Sequence, residues 1–389
     1  MFSRRTSWDI SATPLAEAVA RRTAEGRPLL DLTEANPTRV GLGFSPAALR
    51  EALADPRAAR YEPNPLGLAA AREAIARYYA ERGHAVVPER VVVTASTSEA
   101  YAFLFKLLAD PGDEALVPEP SYPLFAYLAG LESVRTVGYP LRYDGEWHLD
   151  RHGLESALSA RTRAIVTVSP NNPSGSFLKA DELALLSQVC GERGLVLIAD
   201  EVFSDFALDP APGRVETVCG TPGVLAFALS GISKIGALPQ LKVGWMVASG
   251  PEALVEPAMR RLEVIADTYL SASTPSQLAL VALLARRAEV QEPLRERLRR
   301  NLETLRAARG PGASWQPLKV EGGWSAVLRV PRTRSEQEWA LALLEEDGVL
   351  VHPGFFFDFP GEAYLVVSLI VPPEEFAEGV ARLGRRLEG

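Results

Sequence analysis

The sequence predicts an α/β protein: a mostly parallel central sheet with helices on both faces, joined to a smaller α+β domain. Three observations predict it. Between residues 60 and 270, short apolar runs alternate with amphipathic helical patterns, as strand–helix crossovers require. The strand candidates are near-continuous apolar runs, which suits strands buried on both faces. After Pro275 the alternation gives way to long helical segments and then to mixed strand and helix. A chain of 389 residues is also too long for one simple domain. The division expected is a large domain over residues 46–280 and a small domain made of residues 1–45 with 281–389.

The elements follow in order. VVVT near residue 91 reads as a strand, and SEAYAFLFKLLADPG as a helix ended by Asp-Pro-Gly. EALVPEPS is a strand running into a turn. RAIVTVSPNNPSG is a strand followed by a Pro/Gly turn, and KADELALLSQVCGERG a helix with a Gly stop. LVLIADEVF, LAFALSGISK and KVGWMVAS supply three more strands. Beyond Pro275, helical segments span residues 276 to 309, and strands lie near Trp324–Val330 and Tyr364–Ile370. PEEFAEGVARLGRRL closes the chain as an amphipathic helix; its Pro-Glu-Glu start suits the positive end of a helix.

Composition excludes several classes. Apolar residues make up 47% and charged residues 23%, which rules out wholesale disorder. A net charge of −8 argues against nucleic-acid binding, which needs a basic footprint. The arginine run RERLRRNLETLR near residue 300 reads as a solvated helix face. Cys190 and Cys219 sit in neither a CxxC nor a metal-ligand spacing, so neither a disulfide framework nor a metal site is expected. MFSRRTSWDIS has no apolar stretch after its arginine pair, against a secretory signal. No segment reaches the roughly 18 apolar residues that span a bilayer. The expected home is the cytoplasm.

Ligands of open α/β sheets bind at the carboxyl ends of strands. Polar residues directly following strands are Ser96-Thr97-Ser98, Asn171-Asn172, Asp200-Glu201 and Ser233-Lys234. All converge on one rim. Lys234 ends an apolar segment; buried there, a lysine loses basicity and attacks carbonyls, whereas in an exposed loop it does nothing. Asp200 ends the run LVLIA and needs a cationic partner at that depth, unless it is a helix N-cap. Ser96, Thr97 and Ser98, between a strand and a helix, form either an anion site or a plain cap. Tyr122, in PEPSYP, is placed to stack on an aromatic ring or to pack in a turn.

At these residues the sequence resembles the fold-type I pyridoxal-phosphate enzymes, in the class I/II aminotransferase family. SPNNPSG, ADEVF, and SGISK followed by LKVGW occur in the family's order and spacing. The resemblance runs from DLTEANPT near residue 31 to SLIVPPEEF near residue 368. It implies pyridoxal 5'-phosphate as cofactor, with Lys234 forming the Schiff base and later carrying a proton. It implies Asp200 as partner of the pyridine nitrogen, Asn172 as donor to the ring's phenolic oxygen, and Tyr122 stacked on the ring. Ser96, Thr97 and Ser98 match the phosphate cradle, Lys242 a basic residue reaching the phosphate, and Ser233, or Ser230 or Gly231 before it, lies near the same phosphate. Tyr61, in RYEPNPLGL, matches a tyrosine that reaches a neighbouring subunit's phosphate, which implies a homodimer. The implied reaction moves an amino group from a small-molecule amino donor to a 2-oxo acid acceptor. The alternatives are a C–S lyase performing β-elimination on the same cofactor, and a non-catalytic regulator built on the fold.

Two positions depart from the family pattern. Phe203 stands where many relatives carry a tyrosine, so a hydroxyl near the phenolic oxygen is missing. Val366 stands where an arginine usually forks onto the substrate carboxylate. Arg39, in NPTRVGL, is the candidate replacement.

Overall fold

The computed structural model describes residues 1–361 and 363–389. In chain order the strands are β1 (Leu30–Asp31), β2 (Val91–Thr94), β3 (Glu114–Glu119), β4 (Arg135–Tyr143), β5 (Trp147–Leu149), β6 (Thr162–Val168), β7 (Val196–Asp200), β8 (Ala226–Gly231), β9 (Gly244–Ser249), β10 (Gln316–Pro317), β11 (Ser325–Arg329), β12 (Val349–Leu350), β13 (His352–Pro353) and β14 (Tyr364–Ser368). Eight of them form one sheet in the order β2-β9-β8-β7-β6-β3-β4-β5. Neighbours from β8 through β7, β6 and β3 to β4 are parallel. β9 runs antiparallel to both β2 and β8, and β5 is antiparallel to β4. The expected mostly parallel sheet is therefore present. The pair β4 and β5 escaped the sequence reading because β4 interleaves Arg135, Thr136 and Arg142 with its apolar residues, as a half-buried strand does.

The apolar runs become strands because both faces of the sheet are covered. Val92, Phe227 and Met246 point to one face, against Phe103 and Leu104 of the helix Thr97–Leu108. Val91, Val93 and Trp245 point to the other, against Tyr78 and Tyr79 of the helix Ala69–Glu81. Successive residues thus feed the two opposite layers packed on the large sheet, the period-two rule of a strand. Burial of each such side chain contributes roughly 1.5–3 kcal/mol. The helix Ala180–Arg193 stops at Gly194, whose φ of 65° is the left-handed cap conformation.

A second core gathers Leu15, Leu32, Leu294, Trp324, Leu365 and Phe376 around an antiparallel sheet of order β10-β11-β14-β13. Phe203 and Phe206, from the loop after β7, insert into it, so the two cores meet beside Asp200. The arginine run is not wholly solvated. Arg297 donates to the carbonyl of Val40 at 2.6 Å, and Arg295 to that of Asp205 at 3.0 Å. Its helix, Ala288–Ala307, lies across the second core and carries some arginines inward.

Candidate active site

The carboxyl ends of β2, β3, β6, β7 and β8 share one edge of the sheet, since these strands run the same way. From β3 the chain steps outward to β4; from β6 it steps the opposite way to β7 and β8. The strand order therefore reverses between β3 and β6, and a crevice opens at such a switch point. Thr97, Tyr122, Asn172, Asp200, Ser233 and Lys234 line a pocket at this edge, together with Val202 and Phe203.

Asp200 ends β7 and is only 7% exposed. Tyr101 donates its hydroxyl to Oδ2 at 3.3 Å, and the Val202 N–H donates to Oδ1 at 3.2 Å. Burial pushes its pKa up to about 6, partly offset by those donors and by the charge of Lys234. Lys234 lies in the short helix Ile232–Ile235 that follows β8. Burial lowers its pKa to about 8, opposed by Asp200. Its Nζ stands 4.8 Å from the Trp324 ring centre and 5.3 Å from that of Phe203. Neither Asp200 nor Lys234 makes a salt bridge among the described residues. The two charges offset each other only at a distance, and burial still costs more than that field returns, which a ligand bridging them would relieve.

Asn171 and Asn172 divide the work of their turn. Asn171 is buried, and its Oδ1 accepts from the Ser174 hydroxyl at 2.9 Å, which shapes the loop. Asn172 faces the pocket; its Oδ1 accepts from Ser325 at 3.3 Å, which leaves the amide nitrogen free to donate. Gly175 locks the same loop to the second core, with φ of 74° and a Cβ position 2.7 Å from the Gly322 carbonyl oxygen. That contact brings Trp324 opposite Lys234. Trp324 went unnoticed in the sequence because only this long-range docking gives it a role.

The structure does not bring every expected residue into the pocket. Ser96 is the N-cap of the helix Thr97–Leu108, and its Oγ accepts from the Glu99 N–H at 3.1 Å. Ser98 does not line the pocket, and neither does Lys242, which is exposed in the left-handed region with φ of 53°. Tyr61 is 70% exposed, away from this pocket. Ser230 has a buried hydroxyl with no partner among the described residues, but it is not a lining residue. Arg39 keeps a 75% exposed side chain, pairs with Glu34 and does not line the pocket. Val366 is 2% exposed and packs with Trp147, Leu318, Val327, Phe357 and Phe359, so an apolar cluster occupies the position of the missing arginine.

These features fit pyridoxal phosphate. A buried carboxylate without a cation suits a protonated ring nitrogen. A lysine of lowered basicity suits an aldehyde. The N–H groups of Thr97 and Ser98, in the first turn of a 12-residue helix, have no intrahelical acceptor and suit a phosphate. Gly244 lets β9 pass under that turn, since a Cβ there would lie 2.8 Å from the Ser96 carbonyl carbon.

The chain belongs to the class I and II aminotransferase family, whose model matches residues 27–383. It is a pyridoxal-phosphate-dependent aminotransferase, moving an amino group between an amino compound and a 2-oxo acid. It is similar to glutamate-pyruvate aminotransferase AlaA of Escherichia coli, with 26% identity over 98% of this chain and 96% of that protein. It is also similar to arginine–pyruvate transaminase AruH of Pseudomonas aeruginosa, with 29% identity over 97% of this chain and 93% of that one. A solved Escherichia coli aminotransferase covers 100% of this chain and 98% of its own, with TM-score 0.87 and 26% identity. Alanine aminotransferase from Pyrococcus furiosus has TM-score 0.89 and 23% identity, with 99% of both chains covered. The β-elimination reading gains no support from these relatives. No helix among the described residues is long and apolar enough to cross a membrane.

Proposed function

We propose that this aminotransferase uses alanine and pyruvate as one of its two substrate pairs, with Lys234 as both the cofactor's attachment point and the proton carrier. The substrate reading is supported by its relatives, a glutamate-pyruvate aminotransferase, an alanine aminotransferase and an arginine–pyruvate transaminase, which share pyruvate or alanine. The observation that carries the catalytic reading is the pair in one pocket: the Asp200 pKa is raised to about 6 and that of Lys234 lowered to about 8, each feeling the other's charge without a salt-bridge contact. When bound, pyridoxal phosphate supplies an aldehyde for the amine and a ring that accepts electrons from the substrate carbon. Asp200 keeps the ring nitrogen charged, Asn172 donates to the ring oxygen, and Tyr122 covers the ring. The backbone of Thr97 and Ser98 and the Ser233 hydroxyl receive the phosphate. With the cofactor held there, the Lys234 Nζ would be the base that takes the proton from the substrate's α-carbon and passes it on, a task suited to an amine of pKa near neutrality.

Tyr61 reaches the pocket of a second copy, which makes the enzyme a homodimer. Exposed Tyr61, Tyr269 and Leu270 support this reading. Their loops are tied by reciprocal hydrogen bonds between Asn64 and Ser271, both at 2.9 Å. Unpaired Cys190 and Cys219 support a reducing, cytoplasmic compartment.

A half-reaction screen tests the substrate and the lysine together. L-Alanine alone is expected to convert the bound cofactor's absorbance, and pyruvate to restore it. Lys234→Ala is expected to slow that conversion by about 10⁴-fold. A resupplied protein that stays colourless, with no mass added at Lys234 by borohydride, would overturn the assignment.

A further inference from the structure

Outside the active site, a cavity of about 420 Å³ opens beside the loop that follows β7. Five arginines line it: Arg82, Arg214, Arg287, Arg295 and Arg299. Three of them have carboxylate partners. Arg82 meets Asp205 at 3.2 Å, Arg214 meets Glu216 at 3.5 Å, and Arg287 meets Glu81 at 2.8 Å. Arg295 bonds only neutral acceptors, the Asp205 carbonyl at 3.0 Å and Gln291 Oε1 at 2.9 Å. Arg299 has no hydrogen bond or ion pair among the described residues, and its side chain is exposed. Arg295 and Arg299 are four residues apart on the helix Ala288–Ala307, so they share a face. Like charges at that spacing repel. A chain with net charge −8 thus holds two uncompensated cations together in a concave wall.

We propose that this groove binds a small polyanion, a molecule with two or more phosphate or carboxylate charges, as an effector of the enzyme. Guanidinium forks match both oxyanion types through paired N–H bonds, and a concave wall raises the local anion concentration. The groove also has a route to the catalytic lysine. Gln291 is buried, and its Nε2 donates to Asp205 Oδ2 at 2.6 Å and to the Ile235 carbonyl at 3.0 Å. Ile235 follows Lys234 in the same short helix. A ligand drawing Arg295 toward itself therefore acts on Gln291, and Gln291 on the backbone next to Lys234. Asp205 forms the other branch, two residues beyond Phe203, whose ring faces Lys234. The link, unlike the site, rests on the assignment of Lys234 to the cofactor.

The test uses the purified holoenzyme, so that the cofactor fills its own phosphate site. Inorganic pyrophosphate and citrate are titrated calorimetrically against potassium chloride of equal ionic strength; the two probes separate phosphate from carboxylate ligands. One or both are expected to bind once per chain, with affinity falling at least tenfold in Arg299→Glu and largely kept in Arg299→Lys. Arg299 is partnerless and exposed, so neither variant disturbs folding. Heats equal to those of chloride, or equal affinity in Arg299→Glu, would overturn the site. The cofactor's absorbance near neutral pH is read in the same titrations. A shift in the wild type that disappears in Arg299→Glu supports the link to Lys234, and a spectrum unmoved by bound ligand overturns that link.

Discussion

The two walls of the active-site region differ in kind. The wall built from strand ends of the large sheet holds Thr97, Asn172, Asp200 and Lys234, polar groups set on apolar strands with few partners. The second side, from the small-domain sheet, packs Val327 of β11 and Val366 of β14 into a buried cluster with Trp147 and Phe359, outside the residues that line the pocket, while Trp324, just before β11, stands 4.8 Å from the Lys234 Nζ. The first wall is poised for a charged, aromatic cofactor. The second has no charge to offer a substrate carboxylate at the position where the family usually keeps an arginine. The groups that fit the cofactor thus sit on strand ends of the large sheet, apart from the apolar cluster around Val366.

Removing the charge of Asp200 should break the polar wall most severely. Asp200→Asn leaves the ring nitrogen without a buried anion, and loss of one partner of such a pair costs roughly 2–5 kcal/mol. Cofactor affinity, followed by absorbance titration of the stripped protein, should fall accordingly. An affinity unchanged within twofold would show that Asp200 does not face the ring.

The cofactor-free protein should reveal the strain of the same wall through pH. The Lys234 pKa is lowered from 10.5 to about 8, so between those values the unfolded chain binds more protons than the folded one. Stability therefore rises as pH rises from about 8 to 10.5, and the penalty is complete below 8. Lys234→Met should stabilise the cofactor-free protein at pH 7 by up to about 3 kcal/mol. Asp200 returns part of that gain, because it loses the favourable field of Lys234. Unfolding in urea at pH 7 and at pH 10.5 measures it; equal differences at the two pH values would contradict a lowered lysine.

The polar wall was legible in the sequence because each of its residues ends an apolar run. Strand ends converge by topology, so Asn172, Asp200 and Lys234 were found without any knowledge of tertiary contacts. The other wall was legible only as an absence, at Val366. What fills that position depends on register: Val366 pairs with Val327 and His352, and no local pattern in the sequence predicts those neighbours. Trp324 follows Gly322 and Gly323, and its partner lies 90 residues away in sequence, so nothing local marks it. The solvated-face reading of the arginine run failed in part for a similar reason, at Arg295 and Arg297 but not at exposed Arg299. Arg295 and Arg299 repeat at helical spacing like any solvated face, and only the fold puts Arg295 on the Asp205 carbonyl and both residues in one groove.

The smallest effect expected is also the one that ties the walls together. Phe203 lines the pocket, with its ring 5.3 Å from the Lys234 Nζ and 5.3 Å from the Trp324 ring in an edge contact. It belongs to the polar wall by position and to the apolar one by chemistry. Phe203→Tyr adds a hydroxyl at the rim between them. If that hydroxyl donates to the cofactor's ring oxygen, it stabilises the deprotonated oxygen and makes the neighbouring nitrogen a weaker base. The absorbance titration of the bound cofactor should then move to lower pH by about 1 unit, a difference of about 1.4 kcal/mol between protonation states. A midpoint that stays in place would mean the new hydroxyl turns toward Trp324 instead, and that Phe203 serves the second wall alone.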